Sequence, residues 1–453
     1  MRALAGISSA KIIFTQSRVM LLAFAWIAAL FAIIFGDAVS DITRVGAICL
    51  LCFAAIVAPA LRWDSLVILA GLAALVWMIH GAMPSFENLL RGTETVLVFA
   101  ALLPTMALVR ATAMTMPSVH DTQERLAGLP SKTSAGGLQI AGHMFGGIIN
   151  TGAFALLSAA LPEDSSEDRR KAAAEAAIRG MVSSAAWSPF FVAFAIGQNF
   201  VAPHHAWAAI GVGAITALLF SVISLLWFNR DLTMVGLGLA LGCMAPVAWR
   251  LVVVLVAVLL VALIFDLTAL SAVVTVMPML VLVQMMRHRH QIRHIIRTTH
   301  QSMLHTADDI VVIAAAMLVA FFASQTTVIA EMVALLYADQ IPGWAALVLT
   351  PLIMMMASVV GIHPAITSTA LLTIFSAGGA AVHPALLVQS HLIGWGAGTM
   401  CSVASLSVIS SASLYRIPAR KLALGPNLGV AFCYALGGGG VLSLVNVLIL
   451  SQG

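Results

Sequence analysis

Apolar residues in this chain come in long runs broken by short polar punctuation, rather than at the spacing of an amphipathic helix or the alternation of a strand. The first four runs, 19–36, 43–61, 65–82 and 93–109, each approach the roughly 20 residues a helix needs to cross a bilayer. A polar linker over 111–135, carrying Asp121, Glu124, Arg125 and Lys132, then lies along the membrane surface. Beyond it the pattern changes. Residues 136–162 read GGLQIAGHMFGGIINTGAFALLSAALP, apolar but turning polar at Asn150-Thr151-Gly152 and closed by Pro162. Residues 179–200 read RGMVSSAAWSPFFVAFAIGQNF, where Ser183, Ser184, Ser188 and Pro189 interrupt an otherwise apolar helix.

Broken backbone at membrane depth is tolerated only where it is buried in protein or lines a cavity, because an unpaired N–H or C=O in hydrocarbon costs several kcal/mol. The 136–161 stretch therefore predicts a re-entrant hairpin turning at Asn150, followed by a broken helix over 181–202 and a plain helix over 205–228. Between them, EDSSEDRRKAAAEAAIR predicts a short surface helix ending at Arg179. The same order recurs later. Residues 344–375 carry GIHPAITSTA near their middle and predict a second hairpin; 384–415 supply Ser402, Ser405 and Ser407 to a second broken helix; 425–450 is again plain.

Basic clusters fix orientation through the positive-inside rule. Arg2, Lys11 and Arg18 place the N-terminus in the cytoplasm, and a hairpin at 136–161 keeps Arg169, Arg170, Lys171 and Arg179 there too. The apolar sequence over 232–286 divides into two crossings plus one interfacial or re-entrant piece, which leaves RHRHQIRHIIR inside. On this count the two hairpins open from opposite sides, so the repeats are inverted. The expectation is an all-α polytopic protein of the cell (inner) membrane with about 11 transmembrane helices and two inverted repeats, each holding a re-entrant hairpin and a broken helix. Its segments are an amphipathic lead-in (1–18), first-repeat scaffold helices and linker (19–135), hairpin, broken helix and following helix (136–228), second-repeat scaffold (229–341), and second hairpin, broken helix and last helix (342–453).

Composition agrees: 61% of the 453 residues are hydrophobic, 9% are charged, and the mean hydropathy is +1.04. So few charges cannot cover a soluble protein of this length, and an outer-membrane barrel would alternate. The formal charge of +4 reflects topology rather than nucleic-acid binding. Cys49 and Cys52 form a lone CxxC with no second pair or nearby His, so no metal site is expected. No P-loop, HExxH or GxSxG is present, and no catalytic residue is singled out.

With these motifs in view the chain, over roughly 136–415, resembles the ion-transporter superfamily of divalent-anion/sodium symporters, arsenite-permease-type carriers and TRAP large subunits. Each hairpin tip of the symporters carries Ser-Asn-Thr. The first tip here, Ile149-Asn150-Thr151, matches at Asn150 and Thr151 and departs at Ile149; the second, Pro364-Ala365-Ile366-Thr367-Ser368-Thr369, keeps hydroxyls without Asn. The resemblance implies alternating access, Na⁺ as coupling ion and a homodimer.

Half-helix N-termini suit an anion without a buried Lys or Arg, and free carbonyls at opposing half-helix ends suit Na⁺. The candidate substrate site is Asn150, Thr151, Gly152, Ser183, Ser184, Ser188, Pro364, Thr367, Ser368, Ser402 and Ser405. His143 and His363, one per hairpin, are the candidates for proton coupling. Small residues at these places also serve close helix packing, and a histidine can be a hydrogen-bonded interior residue. The function expected is secondary active transport of a small anionic, carboxylate-like solute coupled to Na⁺ or H⁺. The alternatives are a partner-dependent, TRAP-like membrane subunit and a membrane-embedded glycan-processing enzyme.

Overall fold

The computed structural model describes residues 2–80, 83–162, 164–230, 232–325, 331, 341–377 and 381–451, and its regular elements are all helical. In chain order they are α1 (Arg2–Phe35), α2 (Ser40–Val57), α3 (Trp63–His80), α4 (Phe86–Ala113), α5 (Pro117–Ala127), α6 (Ser131–Ile149), α7 (Gly152–Ser158), α8 (Glu167–Ser184), α9 (Val192–Gln198) and α10 (Pro203–Phe228). There follow α11 (Met234–Cys243), α12 (Ala245–Ile264), α13 (Ala269–Arg287), α14 (Ile292–His305), α15 (Ala307–Ser324), α16 (Gly343–Val359), α17 (Pro364–Ala377), α18 (Pro384–Cys401), α19 (Leu406–Tyr415), α20 (Ala419–Ala423) and α21 (Pro426–Leu450). The end of the crossing expected over 65–82 falls outside the described residues.

Among the described residues eight helices are long and apolar enough to cross a membrane alone, or up to nine when the bent pair 289–305 and 307–322 counts as one span. Their packing is that of a multi-pass membrane protein. Along α10 the buried positions are small, Ala206, Ala209, Gly213, Ala217 and Ser224 beside Phe220, whereas Ile215, Leu218, Val222, Ile223, Leu226 and Trp227 are exposed. Large side chains turned outward and small ones inward suit a helix whose solvent is lipid. The stretch 232–286 resolves as expected into one short helix, α11, of about 15 Å, and two of spanning length, α12 and α13. Helix α1 runs unbroken from Arg2, so the lead-in and the first span are one element.

The chain divides into two compact units, one of residues 1–115 and 258–328, the other of 116–257 and 329–453. In the first, α4 packs against α1, α2, α13, α14 and α15. Arg44 pairs with Glu87 at 2.8 Å, and the Arg62 backbone N–H donates to Asp308 Oδ1 at 2.9 Å, so Asp308 serves the start of α15 as an interfacial acceptor.

The second unit holds both hairpins, and side-chain register shows that they are hairpins. Gln139 meets Gly180, His143 meets Ser183, and Gly147 meets Trp187 and Ser188, so α6 and α8 run side by side in the same direction. Two parallel neighbours 18 residues apart in sequence require the chain between them, α7 and its flanks, to return to the starting side. The later pair repeats this: Leu347 meets Ser390, Pro351 meets Gly394 and Ser358 meets Gly398, so α16 and α18 are parallel and α17 is the return arm. Between repeats the order reverses. Val182 meets Gly396, Ala193 meets His391 and Gly197 meets Val388, which makes the broken helices antiparallel and the repeats inverted.

One expectation is overturned. The charged insert is not a separate surface helix ending at Arg179: Ser166 caps Arg169 N–H, and from there α8 runs without interruption to Ser184. Alanine-rich AAAEAAIRG contains no breaker before the last turn, so the helix carries Arg179 three turns inward, where it is 3% exposed.

Candidate functional site

Every residue singled out from sequence lies in the second unit. Helix α8 ends at Ser184, and the chain crosses a non-helical stretch, 185–191, before resuming as α9; α18 likewise stops at Cys401 and resumes as α19 after 402–405. The packing is crosswise. The return arm α7 lies against α19, and the return arm α17 lies against α9, so each hairpin is sheltered by the half-helix beyond the other repeat's break.

At the first tip Asn150 adopts φ +50° with ψ −134°, a positive-φ turn conformation outside the left-handed helical well. Its backbone N–H closes α6 onto Gly146 O, while its side chain has no hydrogen-bond partner among the described residues. Gly152, buried, opens α7 next to Thr151. Pro364 opens α17 at the second tip, Thr367 donates to Pro364 O at 3.2 Å, and His363 Nδ1 accepts from Ala365 N–H at 3.2 Å. His363 is thus a local cap at the tip, with its ring 6.0 Å from that of Trp395.

The serines divide by task. Ser188 ties the first break to the hairpin by donating to Gly147 O, and accepts from Phe190 N–H. Ser184 donates back to Met181 O at 2.7 Å. Ser405 donates to Thr399 O at 2.7 Å and caps α19 through Val408 N–H, while Ser402 accepts from Ala404 N–H. These hydroxyls are spent on backbone that the breaks leave without helical partners.

Two clusters bring a histidine, a serine and a tryptophan together, the tryptophan being Trp187 in the first and Trp395, with its ring 6.0 Å from that of His391, in the second. Around the first break His143 Nδ1 lies 2.7 Å from Ser183 Oγ, and Trp187 Nε1 donates to His143 Nε2 at 3.3 Å. Indole N–H only donates, so Nε2 is the bare nitrogen, Nδ1 carries the hydrogen, and Ser183 accepts it while donating to Gly180 O at 2.7 Å. In the other repeat His391 Nε2 lies 2.8 Å from Ala193 O, and Nδ1 lies 2.9 Å from Ser368 Oγ. A carbonyl only accepts, so here Nε2 carries the hydrogen and Ser368 donates to Nδ1. With both rings neutral, the two histidines hold opposite tautomers.

His391 was not among the sequence candidates, although it is fully buried and joins the second hairpin to the first repeat's broken helix. The Gln389 amide, two residues before it, faces Ala186 O at 3.0 Å and Ala209 O at 3.2 Å, both acceptors, which assigns its nitrogen to that side as the donor. The approach of α10 that permits this depends on Gly213, where a Cβ would come within 1.8 Å of Ala186 O. One helix of the second repeat thereby donates to carbonyls at both ends of the first break. A signal existed: Gln389-Ser390-His391 is an uninterrupted polar triplet inside an apolar run.

Arg179 is the second residue that the sequence did not place. Its Nη1 donates to Asn427 Oδ1 at 2.8 Å and its Nε to Gln139 Oε1 at 3.4 Å, and the guanidinium lies 4.2 Å from the centre of the Phe228 ring. Gln139 also accepts from Ser224, and Asn427 donates to Glu175 O at 3.4 Å. Helices α6, α8, α10 and α21 are thus pinned at one level, a turn before His143 and Ser183.

No protein-family model and no curated protein matches the chain. Among solved structures it is similar to the YdaH transporter of Alcanivorax borkumensis, described as having an unusual topology, at 13% identity and a TM-score of 0.46, over 86% of this chain and 99% of that one. A likeness of that degree carries over neither activity nor site residues.

Proposed function

We propose that this chain is a secondary active transporter of a small anionic, carboxylate-like solute, working by alternating access in the cell membrane with its N-terminus cytoplasmic. One observation carries the reading: two antiparallel hairpin-plus-broken-helix elements, cross-sheltered within one compact unit, with unspent polar groups at a tip. An inverted pair supports exchange between inward-open and outward-open forms by swapping the conformations of its halves. Asn150 offers its side-chain amide, with two N–H donors, at the first tip, which favours an anion. Coupling is to H⁺ or Na⁺: H⁺ is supported by the two histidine clusters, Na⁺ by the resemblance of the first tip alone.

The test is uptake of radiolabelled small carboxylates into proteoliposomes, guided by a thermal-shift screen of anions with Na⁺ replaced by choline and at two pH values. Asn150→Ala and Thr367→Ala are each expected to lose at least tenfold in uptake with unchanged folding. Wild-type uptake in both folded variants overturns the tip assignment; no uptake by the purified wild type alone moves the function to a partner-dependent subunit.

A further inference from the structure

Helix α14 belongs to the first unit, whereas the candidate site residues belong to the second. One face is buried: Ile295, Thr299 and Met303, one turn apart, pack the helix against α4. The opposite face carries Arg293, Arg297 and His300 with Ile292 and Ile296 between them, and Arg289, in the 3-10 turn that leads into the helix, completes the lining of an open depression of about 670 Å³. Arg289, Arg293 and Arg297 are exposed, and so is Ile296 at 57%. No Asp or Glu occurs anywhere between residues 267 and 307, and none of these arginines has a carboxylate partner among the described residues. The helix meets α15, an apolar element, at a bend of 60°. It therefore leaves the line of that apolar element at Thr306.

We infer that this face is a docking surface for anionic phospholipid headgroups. The chemistry on the page selects that occupant. A guanidinium presents two parallel N–H groups that match phosphate oxygens. Arginines at positions 289, 293 and 297 lie at intervals of four, so they form one row able to engage adjacent headgroups. Ile292 and Ile296 within the row give the acyl-chain boundary something to cover, as on helices that lie in the interface plane. A soluble acidic partner would find those isoleucines beside lipid, whereas a headgroup brings its own apolar tail.

Native mass spectrometry of the purified full-length protein, titrated with phosphatidylglycerol or phosphatidylcholine, tests this. The wild type is expected to retain phosphatidylglycerol in preference, and R289Q/R293Q/R297Q to weaken that binding on the order of a hundredfold, about fivefold per arginine. The corresponding triple lysine variant should keep most of the binding, and R420Q, an exposed arginine in the other unit, should leave it unchanged. If the triple variant does not fold, R293Q alone should still lose about fivefold. Equal retention by folded wild type and glutamine variants overturns the inference, as does an equal loss in R420Q. Displacement of the lipid by excess inorganic phosphate would make free phosphate the ligand and overturn it too.

Discussion

The two histidine clusters are built from the same three residue types with the parts exchanged. In the first repeat the histidine is on the hairpin and the serine on the broken helix; in the second the serine is on the return arm and the histidine on the broken helix. The exchange changes what a proton would do. His143 presents its bare nitrogen to the N–H of Trp187, a group that cannot turn round and accept, so protonation there must break a contact. His391 presents its bare nitrogen to the Ser368 hydroxyl, which can rotate and accept, so protonation there needs only a reorientation. The two clusters therefore differ in whether a proton moves structure.

The largest expected effect lies at His391. His391→Ala removes a fully buried ring and leaves Ala193 O and the Ser368 hydroxyl unpaired, a loss of about 3–5 kcal/mol. The apparent unfolding midpoint in detergent should fall by well over the measuring error, and an unchanged midpoint would show that the contact between repeats is not structural. A smaller effect sharpens the comparison. Trp187→Phe keeps the ring but removes the donor facing His143, costing about 1 kcal/mol, and frees that nitrogen to take a proton. The ¹⁵N-histidine NMR signals of the His143 ring should change, whereas Ser368→Ala should leave them as in the wild type. Equal shifts in both variants would erase the difference between the clusters, as would a spectrum assigning one tautomer to both histidines.

Smallest of all is the exposed pair of Glu167 with Lys421 at 2.7 Å. Its hydrogen bond and the lysine's charge hold the Glu167 carboxyl below its usual range, and the same contacts hold the Lys421 ammonium above its own. The carboxylate's contribution is present above its unfolded value and lost as pH falls through the folded one. The ammonium's is present below its unfolded value and lost as pH rises through the folded one. Between about pH 5 and pH 10 the pair therefore adds no pH dependence. Lys421→Gln should match the wild type in thermal midpoint at moderate salt throughout that window. A clear drop would mean that this end of α8 carries more than a solvated contact.

Much of the fold was legible because a bilayer punishes exceptions. Asn150-Thr151-Gly152 and Gly361-Ile362-His363-Pro364 stand out only against apolar surroundings, and both mark turns. The short α11 followed from the basic tract at 287–297, which orientation rules keep on one side. Arg179 was misplaced because the charges of residues 167–171 disguised an alanine-rich stretch that continues inward from the surface. The partners of His391 were invisible for another reason. Ala193 is nearly 200 residues away in sequence, and its contribution is a backbone carbonyl, which every residue has and no sequence displays. The serines were found correctly as markers of broken backbone, but residue type does not reveal that Ser188 and Ser405 are already engaged in closing it.

The parallel pairing of α6 with α8, and of α7 with α19, also has a meaning in time. A ribosome releases α6 and α7 before either shelter exists, and two arms with an exposed tip between them cannot rest in lipid alone. Helix α8 follows at once, but α19 begins at Leu406, on the order of 250 residues after α7 ends, which is some 12 to 50 seconds of synthesis at ~5–20 residues per second. For that interval the first hairpin waits half-covered, at the membrane surface or in the keeping of the insertion machinery, and the last quarter of the chain decides whether the first half was inserted to any purpose.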